Sequence, residues 1–205
     1  MKHFVLTIGR QLGSGGRSVA KIVAAHYGIN VYDKKLIDMV AEESGLSKTF
    51  FEQADEHVSR SFLHFLFAGR GTDSHHADSP LSNDALFRMQ SDVIRQLAAR
   101  ESCIILGRCA DYILRDDPDL ISVYFTADMA DRAQRYARHD GTTTDEARAI
   151  IAKGDRQRDD YYGYYTNRRW GDAANYQFCM NTSALGIEAT AQVLIGYIDR
   201  IIAEP

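Results

Sequence analysis

The residues best suited to chemistry lie near the N-terminus, where glycines separate an apolar run from polar side chains. After HFVLTI come Gly13, Ser14, Gly15, Gly16, Arg17 and Ser18. Glycines let backbone N–H groups approach an anion closely, and the start of a helix adds partial positive charge there. The Arg17 guanidinium suits a phosphate and the Ser18 hydroxyl suits Mg²⁺. The stretch predicts a phosphate-binding loop, and a plain glycine turn is the alternative.

The stretch departs from the strict phosphate-loop pattern G-x-x-x-x-G-K-[ST]. The residue five places before Gly16 is Gln11, and the next lysine after the glycines is Lys21. The lysine of the pattern normally reaches the β- and γ-phosphates. The sequence therefore raises the question of which cation replaces it, and Arg17 is the nearest in sequence.

Composition limits the class of protein. A chain of 205 residues with 45% hydrophobic content suffices for one domain, and a net charge of −4 does not suit a nucleic acid polymer or an anionic membrane. The sequence has neither a membrane-spanning apolar run nor the features of a signal peptide, which predicts a cytoplasmic protein. Cys103, Cys109 and Cys179 form no C-x-x-C pair, which favours reduced thiols over disulfides or zinc.

Strand-like and helix-like patterns alternate along the chain. The predicted strands are 3–8, 29–32, 102–107, the run LISVYFTA after Pro118, and 177–180. The predicted helices are 18–27, 34–44, 47–67, one from Asn83 or Asp84 to Arg100, 129–139, 144–165 and 187–202. Such alternation predicts a three-layer α/β domain with a mainly parallel sheet.

The loop resembles that of the bacterial cytidylate kinases. Their pattern I-D-G-P-x-G-S-G-K-S/G-T lies without a gap over Ile8 to Ser18, which places Gly16 on the lysine and Ser18 on the threonine. GRCADYIL, VYFTADMADRAQRYA and MNTSALGIEATAQVL resemble later segments of that family. The match is closer to the divergent cytidylate kinase-like group, whose motifs I-[ST]-x-R-Q-x-G-S-G-G-R, Y-D-K-x-L-I, G-R-C-A-D-Y and Y-Y-x-x-Y-T-x-x-x-W-G-D all occur here.

This resemblance implies one P-loop NTPase-like kinase domain over residues 1–205. Residues 46–85 correspond to a helical insertion with a flexible loop at 68–83, and residues 144–172 to a lid-like segment. The implied ligands are ATP with Mg²⁺ and a small phosphorylated acceptor. The apolar run at 62–67 suits either packing within the insertion or a homodimer contact.

Three further residues are candidates on the acceptor side. Arg108 follows a buried strand and should emerge at its carboxyl end, where open α/β sheets bind ligands. Asp33 stands where related kinases place an aspartate near the acceptor, although it could equally cap a helix starting at Lys34. Arg95 lies twelve residues before Gly107, as an acceptor-binding arginine does in the family, and an exposed salt bridge is its alternative. Cys109 replaces an aspartate of the family, which leaves the acceptor open.

The lid-like segment supplies candidate arginines for the transferred phosphoryl group. Arg158 is the first choice as a catalytic residue and Arg156 the second, for acceptor binding, although the family's lid pattern R-D-x-x-D-x-x-R is absent. Arg132 and Arg135 stand where the family places arginines near the donor nucleotide, and a solvated helix face is their alternative. The tyrosines between the lid arginines favour packing over stacking on a base.

Three hypotheses follow from these residues. The first is an ATP-dependent kinase for a nucleoside monophosphate, CMP or dCMP by resemblance, in which Arg17, Asp33 and Arg158 act in catalysis. The second is a regulatory protein that binds nucleotide or phosphate without turnover. The third is a kinase for another small molecule.

Overall fold

The computed structural model describes residues 2–33 and 80–203. The strands are β1 (Val5–Arg10), β2 (Asn30–Tyr32), β3 (Cys103–Leu106), β4 (Leu120–Thr126) and β5 (Phe178–Asn181). The helices are α1 (Gly16–Tyr27), α2 (Pro80–Arg100), α3 (Ala110–Ile113), α4 (Met129–Asp140), α5 (Thr144–Thr166) and α6 (Thr182–Ala203), with a short 3₁₀ turn at Ala173–Asn175.

The five strands form one parallel sheet in the order β2-β3-β1-β4-β5. Strand β1 is central, and its last two residues, Gly9 and Arg10, still pair with Tyr124 and Phe125 of β4. Because all strands are parallel, their carboxyl ends share one edge. The loop after β1 and the residues after β3 therefore lie side by side.

Helices cover both faces of the sheet, because alternate strand residues are apolar on each side. On one face Leu6 and Ile8 of β1 pack with apolar residues of α1 and α6. On the other face Val5 and the alternate residues of β3 pack with α2 and α3. The predicted three-layer α/β/α P-loop NTPase-like fold with a parallel sheet is confirmed.

Helix α5 packs beside α4 and ends against the sheet. Ala147 and Ile151 of α5 bury against Ala133 of α4, and Tyr162 near the other end joins the core beneath α2 and α3. A capping box starts the helix, since the Thr143 hydroxyl accepts from the Glu146 N–H and the Glu146 carboxylate accepts from the Thr143 N–H. The lid-like segment thus contains one long helix that packs against α4 near its start and against the core near its end.

Several predicted boundaries were wrong. Helix α2 begins at Pro80 rather than at Asn83 or Asp84, so residues 80–83 of the predicted flexible loop are helical, and proline suits the first turn of a helix. A helical turn from Thr182 precedes the closing helix and ends at the non-helical Gly186, so the predicted start of the main helix at Ile187 is confirmed. Strand β1 runs on to Arg10 instead of ending at Ile8. The helices predicted at 34–44 and 47–67, and the loop at 68–79, lie outside the described residues.

Among residues 2–33 and 80–203, no helix is both long and apolar enough to cross a membrane.

Candidate active site

The glycine loop links β1 to α1 and presents backbone N–H groups. Gly13 and Gly15 adopt left-handed conformations, with φ of 78° and 84°, and Gly15 is the N-cap of α1. Within the described part of the chain, no hydrogen-bond acceptor meets the backbone N–H groups of Gly13, Gly15, Gly16 and Arg17. Unpaired N–H groups at the start of a helix favour an anion.

A buried ion pair fixes the loop to α4 and α5. The Leu12 N–H donates to the Asp155 carboxylate at 2.8 Å, and Arg132 Nε donates to the Leu12 carbonyl at 2.8 Å. Arg132 also pairs with Asp155, and only 4% of its side chain is exposed. We call these three residues the loop clamp. The solvated-face alternative for Arg132 is thereby wrong.

Arg135 lies against the same loop, as predicted from the sequence. Its Nη1 donates to the Gly13 carbonyl at 3.3 Å and to the Thr182 hydroxyl at 3.1 Å. Thr182 in turn donates to the carbonyl of Ser14 at 2.6 Å. Ser14 is fully buried, and its hydroxyl has no hydrogen-bond partner among the described residues. The loop is therefore held from α4 and α6 as well as from α5.

Arg17 and Ser18 lie in the first turn of α1. The Arg17 guanidinium pairs with the Asp33 carboxylate, and 68% of the Arg17 side chain is exposed. Ser18 is exposed as well. The alternative role of Asp33, as the cap of a helix from Lys34, lies outside the described residues. Asp33 is thus already paired with a cation beside the loop.

A pocket of about 600 Å³ lies next to the loop at the carboxyl edge of the sheet. Its charged lining residues are Arg10, Arg108, Lys153, Arg158 and Asp111. Leu12 also lines it, so the pocket adjoins the glycine loop. Among the described residues, four cationic side chains and one carboxylate line this pocket, which suits it to an anionic ligand.

Arg10 points its side chain across this edge from the end of β1. A Cβ built on Gly16 would lie 3.0 Å from Arg10 Cβ and 3.2 Å from its Cγ, and a Cβ on Gly107 would collide with the guanidinium. Burial, then the neighbouring Arg158, Arg17 and Arg108, lower the pKa of Arg10 to about 9, against the opposing effect of Asp33. Arg10 remains charged at neutral pH, but its charge is poorly compensated.

Arg108 follows β3 in a strained segment. Gly107, Arg108 and Cys109 have φ of 70°, 60° and 56°, a conformation that costs non-glycine residues free energy and often occurs at functional sites. The guanidinium lies 4.7 Å from the centre of the Tyr161 ring, and Nε donates to Gln90 at 3.2 Å. Arg108 therefore reaches the pocket from the strand end, as predicted.

Arg158 also faces the pocket, from α5. Its Nη1 donates to the Arg10 carbonyl at 3.0 Å and lies 3.9 Å from the Asp155 carboxylate. Burial lowers the pKa of Arg158, while Asp155 acts in the opposite direction. Arg10, Arg108 and Arg158 together form what we call the pocket cluster.

A buried carboxyl group lies at another part of the pocket wall. Tyr162 donates to Asp111 at 2.7 Å, and both side chains are buried. Burial raises the pKa of Asp111, although the hydrogen bond from Tyr162 lowers it. Asp111 and Tyr162 thus give the pocket a carboxyl and a phenol group in addition to its arginines.

Two predicted acceptor ligands lie apart from this pocket. Arg95 is exposed on α2 and pairs with Asp92 at 3.1 Å on the same helix. Arg156 is exposed on α5 and lines a second, more open cavity with Asp159 and Arg169. Neither lines the pocket that holds the pocket cluster.

Sequence reasoning missed Arg10 and Asp111. Arg10 follows an apolar strand directly, which is the signal that identified Arg108, but the strand was predicted to stop two residues earlier. Asp111 lies within GRCADYIL, where the sequence analysis considered Arg108 and Cys109 but not this aspartate. Burial raises the pKa of the Cys109 thiol to about 12, so this cysteine is not a reactive group at neutral pH.

A parallel sheet whose central strand leads through a glycine loop into a helix defines an α/β domain of the phosphate-loop class. Within that class, the cytidylate kinase-like family matches residues 5–184, and the chain belongs to this family.

Relatives and solved structures agree with this assignment. A cytidylate kinase of Methanopyrus kandleri is 26% identical, with 97% of this chain and 94% of the relative aligned, and one of Pyrococcus horikoshii is 25% identical, with 96% and 89% aligned. An uncharacterised protein of Eubacterium ventriosum superposes with a TM-score of 0.75 at 31% identity, over 97% of this chain and 99% of that one. A shikimate kinase of Bacteroides thetaiotaomicron shares the fold, with a TM-score of 0.52 at 15% identity, over 96% and 98% of the two chains.

Proposed function

We propose that the protein transfers the γ-phosphoryl group of ATP to a nucleoside monophosphate, CMP or dCMP by family likeness. One observation carries the proposal: unpaired N–H groups of the glycine loop and the pocket cluster meet at the same sheet edge. The first suits the donor phosphates and the second suits an acceptor phosphate. The relatives named cytidylate kinase support the choice of acceptor.

In the proposed reaction an oxygen of the acceptor phosphate attacks the γ-phosphorus of ATP. The new P–O bond forms as the bond to the β–γ bridging oxygen breaks, and ADP leaves with that oxygen. A phosphate oxygen carries no proton that must be removed, so catalysis reduces to positioning and charge stabilisation. The loop holds the donor, and Arg108 and Arg158 face the transferred group and the acceptor.

Mg²⁺ bound with ATP would supply positive charge that offsets the charge of the phosphates. Ser18 offers a hydroxyl in the first turn of α1, and Asp33 offers a carboxylate beside it, which are oxygen ligands of the kind Mg²⁺ takes. This donor set fits the ion, with Ser18 as its ligand. Arg17 pairs with Asp33 and so holds that carboxylate at the start of α1.

Arg135 has a different part in the proposal. Its hydrogen bonds to Gly13 and Thr182 hold the loop and the start of α6 together on the donor side. Arg95 and Arg156 remain predicted acceptor ligands, and their positions outside the pocket would require the acceptor to extend beyond it.

The test is an ADP-release assay with Mg²⁺ and ATP against a panel of nucleoside monophosphates, run beside calorimetric titration of ATP. We expect turnover with CMP or dCMP. Arg200→Met, an exposed arginine on α6 away from the pocket, should match the wild type.

Each other outcome contradicts the proposal in its own way. ATP binding without turnover on any acceptor indicates a regulatory protein. Turnover restricted to an acceptor without a nucleoside indicates a different kinase. Absence of ATP binding would support the alternative that the loop is a plain glycine turn.

A further inference from the structure

Because residue 16 is glycine, the loop lacks the positive charge of the usual lysine. The structure shows which side chain occupies the space beside residue 16. A lysine side chain would start at the Cβ of residue 16. A Cβ there would lie 3.0 Å from Arg10 Cβ and 3.4 Å from the Phe125 ring. The side chain of Arg10 thus occupies the volume through which a lysine at position 16 would leave the helix.

The Arg10 guanidinium also lies at the carboxyl edge of the sheet, where the proposed transfer would occur. From the end of β1 its guanidinium crosses to Gly107 at the end of β3, where a side chain on that residue would collide with it. The Arg10 side chain therefore runs from beside Gly16 of the glycine loop to beside Gly107, the residue before Arg108. A phosphoryl group passing from a donor on the loop to an acceptor in the pocket would cross this position.

Arg17, the nearest cation in sequence, is placed differently. Its guanidinium already pairs with Asp33, and its side chain is 68% exposed at the surface of α1. Arg10 is partly buried, and no carboxylate forms a salt bridge with it among the described residues. Its charged neighbours Arg158, Arg17 and Arg108 repel it, and Asp33 acts in its favour. An anion at this position would relieve that repulsion.

We propose that Arg10 is a catalytic residue that replaces the missing loop lysine and contacts the transferred phosphoryl group. In this proposal the positive charge comes from Arg10 at the end of β1, and residue 16 is glycine because a side chain there would crowd that of Arg10. The inference rests on the proposed phosphoryl transfer and adds to it the residue that stabilises the developing charge.

The first test removes the charge in Arg10→Met and measures kcat in the ADP-release assay. Loss of a preorganised charge at a reaction centre predicts a fall in kcat of about 10²–10³-fold. Arg200→Met serves as the matched control and should keep the wild-type kcat. An unchanged kcat in Arg10→Met, beside a loss in Arg17→Met, would overturn the inference and favour Arg17.

The second test moves the cation back. Arg10→Gly clears the space beside residue 16, and Gly16→Lys then restores the usual pattern. We expect Arg10→Gly alone and Gly16→Lys alone to be impaired, and the double variant R10G/G16K to recover part of kcat relative to R10G. A double variant no more active than R10G, although folded by circular dichroism, would contradict the exchange.

A thermal readout separates this inference from the proposed function. Because the charge of Arg10 is poorly compensated, Arg10→Met should raise the Tm of the ligand-free protein and reduce the rise in Tm that MgATP gives to the wild type. If the wild type binds MgATP but turns over no acceptor, the proposed reaction fails, while a reduced rise still supports Arg10 as a phosphate ligand. A full rise in Arg10→Met overturns the inference whatever the assay shows.

Discussion

The loop clamp and the pocket cluster both place arginine side chains beside the glycine loop, and the surroundings of those arginines differ. In the loop clamp, Arg132 is almost fully buried, pairs with Asp155 and also binds a backbone carbonyl. In the pocket cluster, Arg10 and Arg158 have lowered pKa values, and Arg108 lies over the Tyr161 ring. Among the described residues that line the pocket, the carboxyl group is that of Asp111, which accepts a hydrogen bond from Tyr162. The clamp pairs its arginine with a carboxylate at close range, whereas cations outnumber carboxylates among the described residues that line the pocket.

This difference distinguishes Arg132, which holds the loop in place, from the pocket arginines, which are placed to bind an anion. A buried charge is tolerated when an opposite charge and hydrogen bonds compensate the loss of solvation. Removing one member of such a pair destabilises the protein, because the other charge stays buried without compensation. A set of like charges in a cleft costs stability until a ligand neutralises it, which is typical of binding sites. Sequence position alone does not distinguish Arg132 from Arg10.

The largest expected effect is on the loop clamp. Arg132→Leu removes the ion-pair partner of the part-buried Asp155 carboxylate, which keeps the Leu12 N–H and the more distant Arg158. The variant should lower the free energy of unfolding by about 3 kcal/mol, the lower end of the range for a buried pair. Denaturant unfolding measures this loss. In the double variant with Asp155→Leu part of it should return, and Asp92→Asn, which breaks an exposed pair on α2, should cost only ~0–1 kcal/mol. A cost for Arg132→Leu as small as that of Asp92→Asn would remove the contrast between the two groups.

The next effect is on the pocket cluster. Arg158→Met should lower kcat about 10²-fold, because a preorganised charge near the transferred group is lost, and should change Tm less than Arg132→Leu does. The control is Arg148→Met, an exposed arginine earlier on the same helix. Steady-state kinetics and thermal melts check both statements. Equal kcat values for the two variants would place Arg158 with the structural arginines.

The smallest effect concerns the buried carboxyl group of the pocket. Burial raises the pKa of Asp111 above its unfolded value, so the folded state favours the protonated form and loses stability as pH rises from the ordinary aspartate value. Asp111→Asn does not titrate and its side-chain oxygen can still accept from Tyr162. The Tm of this variant minus that of the wild type should therefore increase from acidic to neutral pH. A decrease over that interval would indicate that the bond from Tyr162 outweighs burial.

Much of the fold could be predicted from the sequence. Apolar periodicity identified the five described strands and five of the six described helices because their core residues recur at regular spacing, and resemblance placed the glycine loop in register. The four-residue helix α3 was missed because it is too short to show a period. The start of α2 was misjudged because Asn83 or Asp84 was taken as the cap of the helix, whereas the helix starts at Pro80 and proline suits a first turn. The end of β1 was misjudged because Gly9 was taken as the start of a turn.

The site was harder to predict, because it depends on which side chains meet across strands. Arg17 was expected to supply the missing charge since it follows the loop glycines in sequence. Its pairing with Asp33 sixteen residues away, and the approach of Arg10 to Gly16 and Gly107, are properties of the folded chain. Periodicity gives the face of a helix or strand but not the partner that compensates a charge.

The most direct test is a crystal structure with Mg²⁺, a non-hydrolysable ATP analogue and CMP. The account predicts that the donor phosphates bind the N–H groups of Gly13 to Arg17 and that Arg10 and Arg158 contact the terminal phosphate. Arg132 should keep its bonds to Asp155 and Leu12 unchanged. A terminal phosphate held by Arg132 after its release from Asp155, with Arg10 remote from it, would contradict the distinction between the loop clamp and the pocket cluster.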